Sequence, residues 1–160
     1  MAGLEQAAEL GHRSRTLKLG AWNLLDDCYN ASPVAMKAAL DALLDLAVGS
    51  DAIAVLGPML ELGAASQQLH REVGAHVARA GLSCLITVGP EAARIADGAR
   101  HAGMPLGRIR VVQTAPEAAE ALSRAARPGC WILLKGSRGA RLEQVLEHLP
   151  CCPGGPEDGS

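Results

Sequence analysis

Short apolar runs alternate with amphipathic stretches from Trp22 to Leu149, and these two periodicities assign the elements. Trp22 to Asp26 is short enough to be a strand. Ser32-Pro33 then reads as a helix start, because serine accepts an orphan amide and proline in the first turn loses no hydrogen bond. Met36, Leu40, Leu43, Leu44 and Ala47 follow at spacings of three and four, giving one buried helix face. Asp51 to Gly57 (DAIAVLG) is a continuous apolar run, as expected of a strand covered on both faces. The spacing predicts a helix over Ser66 to Ala80, with Leu69, Val73, Val77 and Ala80 inward and Gly81 as its stop. Cys84 to Val88 is the next strand, and Pro90 to Ala102 a helix with Ile95 and Ala99 inward. Arg110 to Gln113 reads as a strand, Pro116 to Ala126 as a helix, Trp131 to Lys135 as the last strand and Ala140 to Leu149 as the last helix.

Five strands alternating with five helices predict an α/β fold: an open, mostly parallel sheet with helices on both faces. The chain shows no internal repeat. Residues 1 to 15 are polar and glycine-interrupted, which suggests a linker or the remnant of a preceding domain. Residues 16 to 149 form the domain. Residues 150 to 160 are rich in proline and glycine and are expected to be a disordered tail.

Composition narrows the function. Of 160 residues, 49% are hydrophobic and 20% charged, enough for one domain with a sizeable core. Trp22, Tyr29 and Trp131 are the only aromatics. The core must therefore be aliphatic, and base-stacking platforms for single strands are excluded. A net charge of −2 argues against nucleic acid as a partner. No run of 18 apolar residues exists to span a membrane, and the N-terminus lacks the apolar centre of a signal peptide, so a cytoplasmic location is expected. The five cysteines include no C-x-x-C pair, and the five histidines show no ligand spacing, so no metal site is expected in this chain.

In sheets of this kind ligands lie beyond the carboxyl ends of the strands, which selects three loops. The first, LLDDCYNASP, offers Asp27 as an acceptor for sugar hydroxyls and Asn30 as donor and acceptor; both are also frequent turn formers. The third, LLKGSRG, gathers Lys135, Ser137, Arg138 and backbone amides before a helix, a set suited to an anion. It would equally serve as a solvated turn with two snorkelling cations. In the second loop Glu61 is a candidate ligand for metal or water, or a partner for a helix dipole. His70 lies one turn into the following helix and is a further candidate. Lys18, Lys37 and Lys135 are the only lysines, and none sits in a P-loop.

Taken together, the loops are recognisable. Asp26-Asp27-Cys28-Tyr29-Asn30-Ala31-Ser32-Pro33, then Gly57-Pro58-Met59-Leu60-Glu61-Leu62-Gly63 with His70-Arg71-Glu72-Val73-Gly74, then Lys135-Gly136-Ser137-Arg138, come in an order and spacing that resemble the C-terminal domain of the bacterial Mur ligases. The branch adding D-alanyl-D-alanine is the most similar. The resemblance covers residues 12 to 149 and implies a Rossmann-like closing domain. In that family the segments read D-D-[ST]-Y-N-A-N-P and G-D-M-x-E-L-G. Pro58 thus replaces an aspartate, Ser32 an asparagine and Cys28 a small hydroxyl residue.

The family implies a three-domain, ATP-dependent ligase of peptidoglycan precursor synthesis. One domain takes the UDP-sugar, a central ATPase holds most of the ATP and Mg²⁺ contacts, and the closing domain is the part present here. The carboxylate of a UDP-MurNAc-tripeptide is activated as an acyl phosphate, and the amine of D-Ala-D-Ala attacks it. The resemblance implies ATP contacts from Asp27, Tyr29 and Asn30, and dipeptide or phosphate contacts from Lys135, Ser137 and Arg138. It also implies a monomer. Without a P-loop the chain alone is expected to be inactive. The alternative is a non-catalytic nucleotide- or peptide-binding module from a truncated ligase gene, which the loss of the motif aspartate at Pro58 favours.

Overall fold

The computed structural model describes residues 15–27, 31–137 and 140–149. Within these residues six strands form one sheet: β1 (Arg15–Leu19), β2 (Trp22–Asp27), β3 (Ala52–Leu56), β4 (Cys84–Val88), β5 (Ile109–Val112) and β6 (Trp131–Lys135). Among the described residues five α-helices connect or follow them: α1 (Pro33–Leu46), α2 (Ser66–Ala80), α3 (Ala93–His101), α4 (Ala115–Ala125) and α5 (Gln144–Glu147). The strand order is β1-β2-β6-β3-β4-β5. β1 runs antiparallel to β2, and every other pairing is parallel.

β1 is the strand that periodicity alone did not predict. Its Arg-Thr-Leu-Lys-Leu sequence is half polar, because it lies at the sheet edge and is largely exposed. A two-residue loop, Gly20-Ala21, joins Leu19 to its register partner Trp22. Gly20 takes a φ of 63° there, the left-handed backbone that tight hairpins need and glycine tolerates.

The pleat divides the core in two. Leu25, Ala52, Ala54, Leu56, Leu85 and Leu133 face Met36, Leu40 and Leu43 of α1, Val73 and Val77 of α2, and Ile95 and Ala99 of α3. Trp22, Ile53, Val55, Ile86, Ile132 and Leu134 face the other way, onto Ala118 and Leu122 of α4 and Val145 of α5. β3 and β4 are buried along their whole length, as continuous apolar runs require when both faces are covered.

Helix boundaries follow local chemistry. The Ser32 hydroxyl accepts the Ala35 amide at 3.1 Å, and Pro33 opens α1. Gly81 ends α2 at φ 77°. α4 starts one residue before the proline because Thr114 and Glu117 form a reciprocal capping box. α3 is shorter than the expected 90–102, since Pro90 to Ala92 form a turn. The last helix shortens most, to four residues in place of 140–149. Arg141 adopts a φ of 54°, which interrupts the helix, and Leu142 turns into the core.

α2 buries Val73 and Val77 as expected but not the whole of the expected face. Leu69 and Ala80 are half-buried, whereas His70, Val73, Gly74 and Val77 are buried. The cause is a close crossing with α3. A Cβ on Gly74 would overlap the Ile95 carbonyl oxygen and stand 2.6 Å from the Ala99 amide nitrogen, and one on Gly98 would overlap the Arg71 carbonyl. Two glycines are what allow these backbones to touch. Gly74→Ala is expected to destabilise the domain by about 3 kcal/mol, since backbone must move to admit the methyl. Gly107→Ala, where nothing lies within 4 Å, should stay within about 0.5 kcal/mol. Urea unfolding of both variants checks the contrast.

Candidate functional site

Connectivity places the candidate site at the end of β6. The helices after β2 and β3 cover one face of the sheet, while α5, after β6, covers the other. The helix that follows β6 therefore packs on the face opposite to those that follow its two neighbours. The carboxyl edge at such a change of face is the usual ligand position in sheets of this kind.

Asp27, Lys135 and Leu56 stand in one row across β2, β6 and β3. Lys135 Nζ donates to Asp27 Oδ2 at 2.7 Å, and the two side chains are only 2% and 12% exposed. The structure thus joins two residues that the sequence assigns to separate ligands. Asp26, the other acid of the pair, alternates to the opposite face and meets Arg15 of β1 at 3.2 Å. Only one of the two consecutive aspartates therefore lies on the same face as the Lys135 side chain.

Beyond the strand ends, β3 and β6 continue to hold each other. The Gly57 amide donates to the Lys135 carbonyl at 2.8 Å, and the Ser137 amide donates to the Pro58 carbonyl at 3.0 Å. Gly136 allows this approach: a Cβ there would lie 2.9 Å from Leu142 Cδ1 and 3.1 Å from Gly57 Cα. Pro58 serves through its carbonyl. Replacing the motif aspartate by an imino acid leaves this contact intact, since no amide of residue 58 takes part.

Ser137 is buried, and its hydroxyl has no hydrogen-bond partner. Such a group at a sheet's carboxyl edge is well placed to meet a ligand, because an unpaired buried hydroxyl is costly. Tyr29, Asn30 and Arg138 lie outside the described residues, as does Cys28. Glu61 is exposed and takes a φ of 61°, unusual for a residue with a side chain. His70 is fully buried, with its Nε2 accepting the Met59 amide at 3.0 Å and its Nδ1 2.7 Å from the Ser66 carbonyl oxygen. Both ring nitrogens are therefore engaged by backbone.

The loop after β4 carries no motif, yet it borders an open cleft of about 600 Å³ between the N-terminal ends of α2 and α3. Gly63, Ser66, Gln67, Pro90, Glu91 and Arg94 line it. The weak signal for it is Gly89-Pro90 directly after an apolar strand. Among the described residues no group of three His, Cys, Asp or Glu side chains could hold a metal ion, and no helix is long and apolar enough to cross a membrane.

Two predictions test this geometry. Lys135→Met strands a buried carboxylate and is expected to destabilise the domain by about 3 kcal/mol. The double variant Asp27→Leu/Lys135→Met should recover most of that loss; a denaturation double-mutant cycle reads the coupling. Burial pushes the Cys84 and Cys130 thiols above their ordinary range, so neither is a ready nucleophile. Iodoacetamide at pH 8 should label both only after unfolding, as read by peptide mass spectrometry.

Residues 12–138 match the family model described as Mur ligase, glutamate ligase domain. The chain is 33% identical over 149 residues to the UDP-N-acetylmuramoyl-tripeptide–D-alanyl-D-alanine ligase of Bacillus subtilis (strain 168), covering 92% of this chain and 32% of that protein. Among solved structures, the MurF ligase of Thermotoga maritima in complex with ADP superposes with a TM-score of 0.69 at 28% identity, over 84% of this chain and 29% of that one. A MurF structure from Acinetobacter baumannii gives a TM-score of 0.71 at 26% identity, over 84% of this chain and 29% of that one. The chain spans about a third of the length of the curated relative it matches. With the family model matched over most of its length and a relative 33% identical across 92% of it, the chain belongs to the Mur ligase family.

Proposed function

We propose that this chain is the C-terminal domain of an ATP-dependent ligase that adds D-Ala-D-Ala to a UDP-MurNAc-tripeptide during peptidoglycan precursor synthesis. The observation that carries this reading is the D-alanyl-D-alanine ligase match, which takes in nearly the whole chain but only a third of the relative. The reaction needs more than this domain. A ligase of this kind requires groups that hold the γ-phosphate and Mg²⁺, and the chain has no P-loop lysine to supply them. ATP and Mg²⁺ are accordingly assigned mainly to the remaining two thirds of the enzyme, and the isolated chain is inactive.

Within that scheme the loop of Asp27, Tyr29 and Asn30 faces the nucleotide. The loop of Lys135, Ser137 and Arg138 faces the incoming dipeptide. Because the Lys135 ammonium is committed to Asp27, its main work is to fix the ends of β2 and β6 relative to each other. Direct contact then falls to the Ser137 hydroxyl, which lacks a protein partner, and to the guanidinium of Arg138, which suits a terminal carboxylate. The contribution to rate is positioning of the amine against the activated carbonyl. The enzyme acts in the cytoplasm as a monomer.

A chimera tests the proposal. This domain replaces the C-terminal third of the Bacillus subtilis ligase, and phosphate release from ATP is followed with UDP-MurNAc-tripeptide and D-Ala-D-Ala. The chain alone should release no phosphate, and the chimera should release it in a D-Ala-D-Ala-dependent way. Ser137→Ala in the chimera should raise the KM for D-Ala-D-Ala about tenfold, the worth of one hydrogen bond to a charged ligand. A chimera that unfolds cooperatively yet releases no phosphate refutes the assignment and leaves the non-catalytic module.

A further inference from the structure

We infer that His70 is a positioning residue: its neutral imidazole holds one end of the Pro58–Met59 peptide plane, and the other end of that plane holds the backbone of Ser137. The link to the dipeptide rests on the proposed function; the mechanical brace does not.

The argument begins with the ring. His70 is fully buried in the first turns of α2. Its Nδ1 lies 2.7 Å from the Ser66 carbonyl oxygen, and a carbonyl can only accept, so Nδ1 carries the proton. The Ser66 hydroxyl stands 3.3 Å from the same nitrogen. Nε2 therefore keeps its lone pair and accepts the Met59 amide at 3.0 Å. That amide belongs to a buried residue beyond the end of β3, where the strand ladder no longer supplies an acceptor.

The same peptide unit carries the Pro58 carbonyl, which accepts the Ser137 amide at 3.0 Å. A trans peptide is planar, so the carbonyl of Pro58 and the amide of Met59 turn together. Rotating this plane would break both hydrogen bonds. Pro58 restricts the alternative further, since its ring fixes φ on the preceding side. One residue earlier, the Gly57 amide holds the Lys135 carbonyl at 2.8 Å. The exit of β6 is thus hydrogen-bonded to residues 57 and 58, and residue 59 is held by His70. Leucine at position 70 would fill the space but offer no lone pair, while the glutamine amide oxygen could accept in its place.

Amide hydrogen exchange on this chain tests the brace. In His70→Leu the Met59 and Ser137 amides should exchange at least about tenfold faster than in wild type, while Val77 and Ile86 stay within about threefold. His70→Gln should recover a substantial part of the Ser137 protection. Equal acceleration at Val77 and Ile86, or no change at Ser137, overturns the proposal. Should the leucine variant fail to fold, the wild-type imidazole nitrogen spectrum decides: a protonated Nδ1 with a bare Nε2 supports the brace, and the opposite tautomer overturns it. The ligase chimera separates this inference from the functional reading. If it is inactive, the dipeptide assignment falls and the exchange result still judges the brace. If it is active, His70→Leu should raise the KM for D-Ala-D-Ala about tenfold and leave that for ATP unchanged. An unchanged D-Ala-D-Ala KM overturns the link from brace to substrate loop.

Discussion

A lysine ammonium buried at the end of an apolar strand is tolerable only beside a counter-charge. Asp27 on the neighbouring strand provides it, 2.7 Å away. Neither residue could occupy this place alone, because an unpaired buried charge costs more than the packing around it returns. The pair also demands that β2 and β6 be adjacent and in register, although 108 positions of chain separate its members. Pairing of the carboxyl ends is thereby tied to completion of the whole sheet. Beyond the pair, the helices that follow these two strands pack on opposite faces of the sheet.

Around this pair the backbone is unusually close. Gly57 and Gly136 let two loops lie against each other where side chains would hold them apart, and hydrogen bonds continue between them after the strands end. The loop after β6 is thus held to the loop after β3 by main-chain hydrogen bonds. Pro58 fits this picture, since the contact it makes needs only a carbonyl. One turn along the same face of α2 from His70, Gly74 makes the close contact with α3 that fixes the helix there. Helix packing and loop geometry are therefore coupled through one side chain.

Much of this was legible from residue patterns. The buried runs of β3 and β4, the serine cap of α1 and the glycine stop of α2 follow from rules that operate within a few residues. β1 was not legible, because an exposed edge strand carries no apolar alternation strong enough to separate it from a linker. The last helix was overextended, because its periodicity is real while Arg141 takes a left-handed backbone set by the packing of Leu142. The face of α2 is legible at Val73 and Val77, but the burial of His70 and Gly74 is not, since the close crossing with α3 admits a glycine where hydrophobicity gives no signal.

The site divides along the same line. Sequence by itself determined which loops carry polar chemistry and which family they resemble, because short motifs report local residue identity and order. Tertiary structure alone decided that Asp27 and Lys135 pair, that Asp26 turns away, and that the Ser137 hydroxyl, like that of Thr87, is buried without a partner. The physical reason is strand order. β6 inserts between β2 and β3, and such a long-range insertion leaves no trace in the spacing of the residues it brings together.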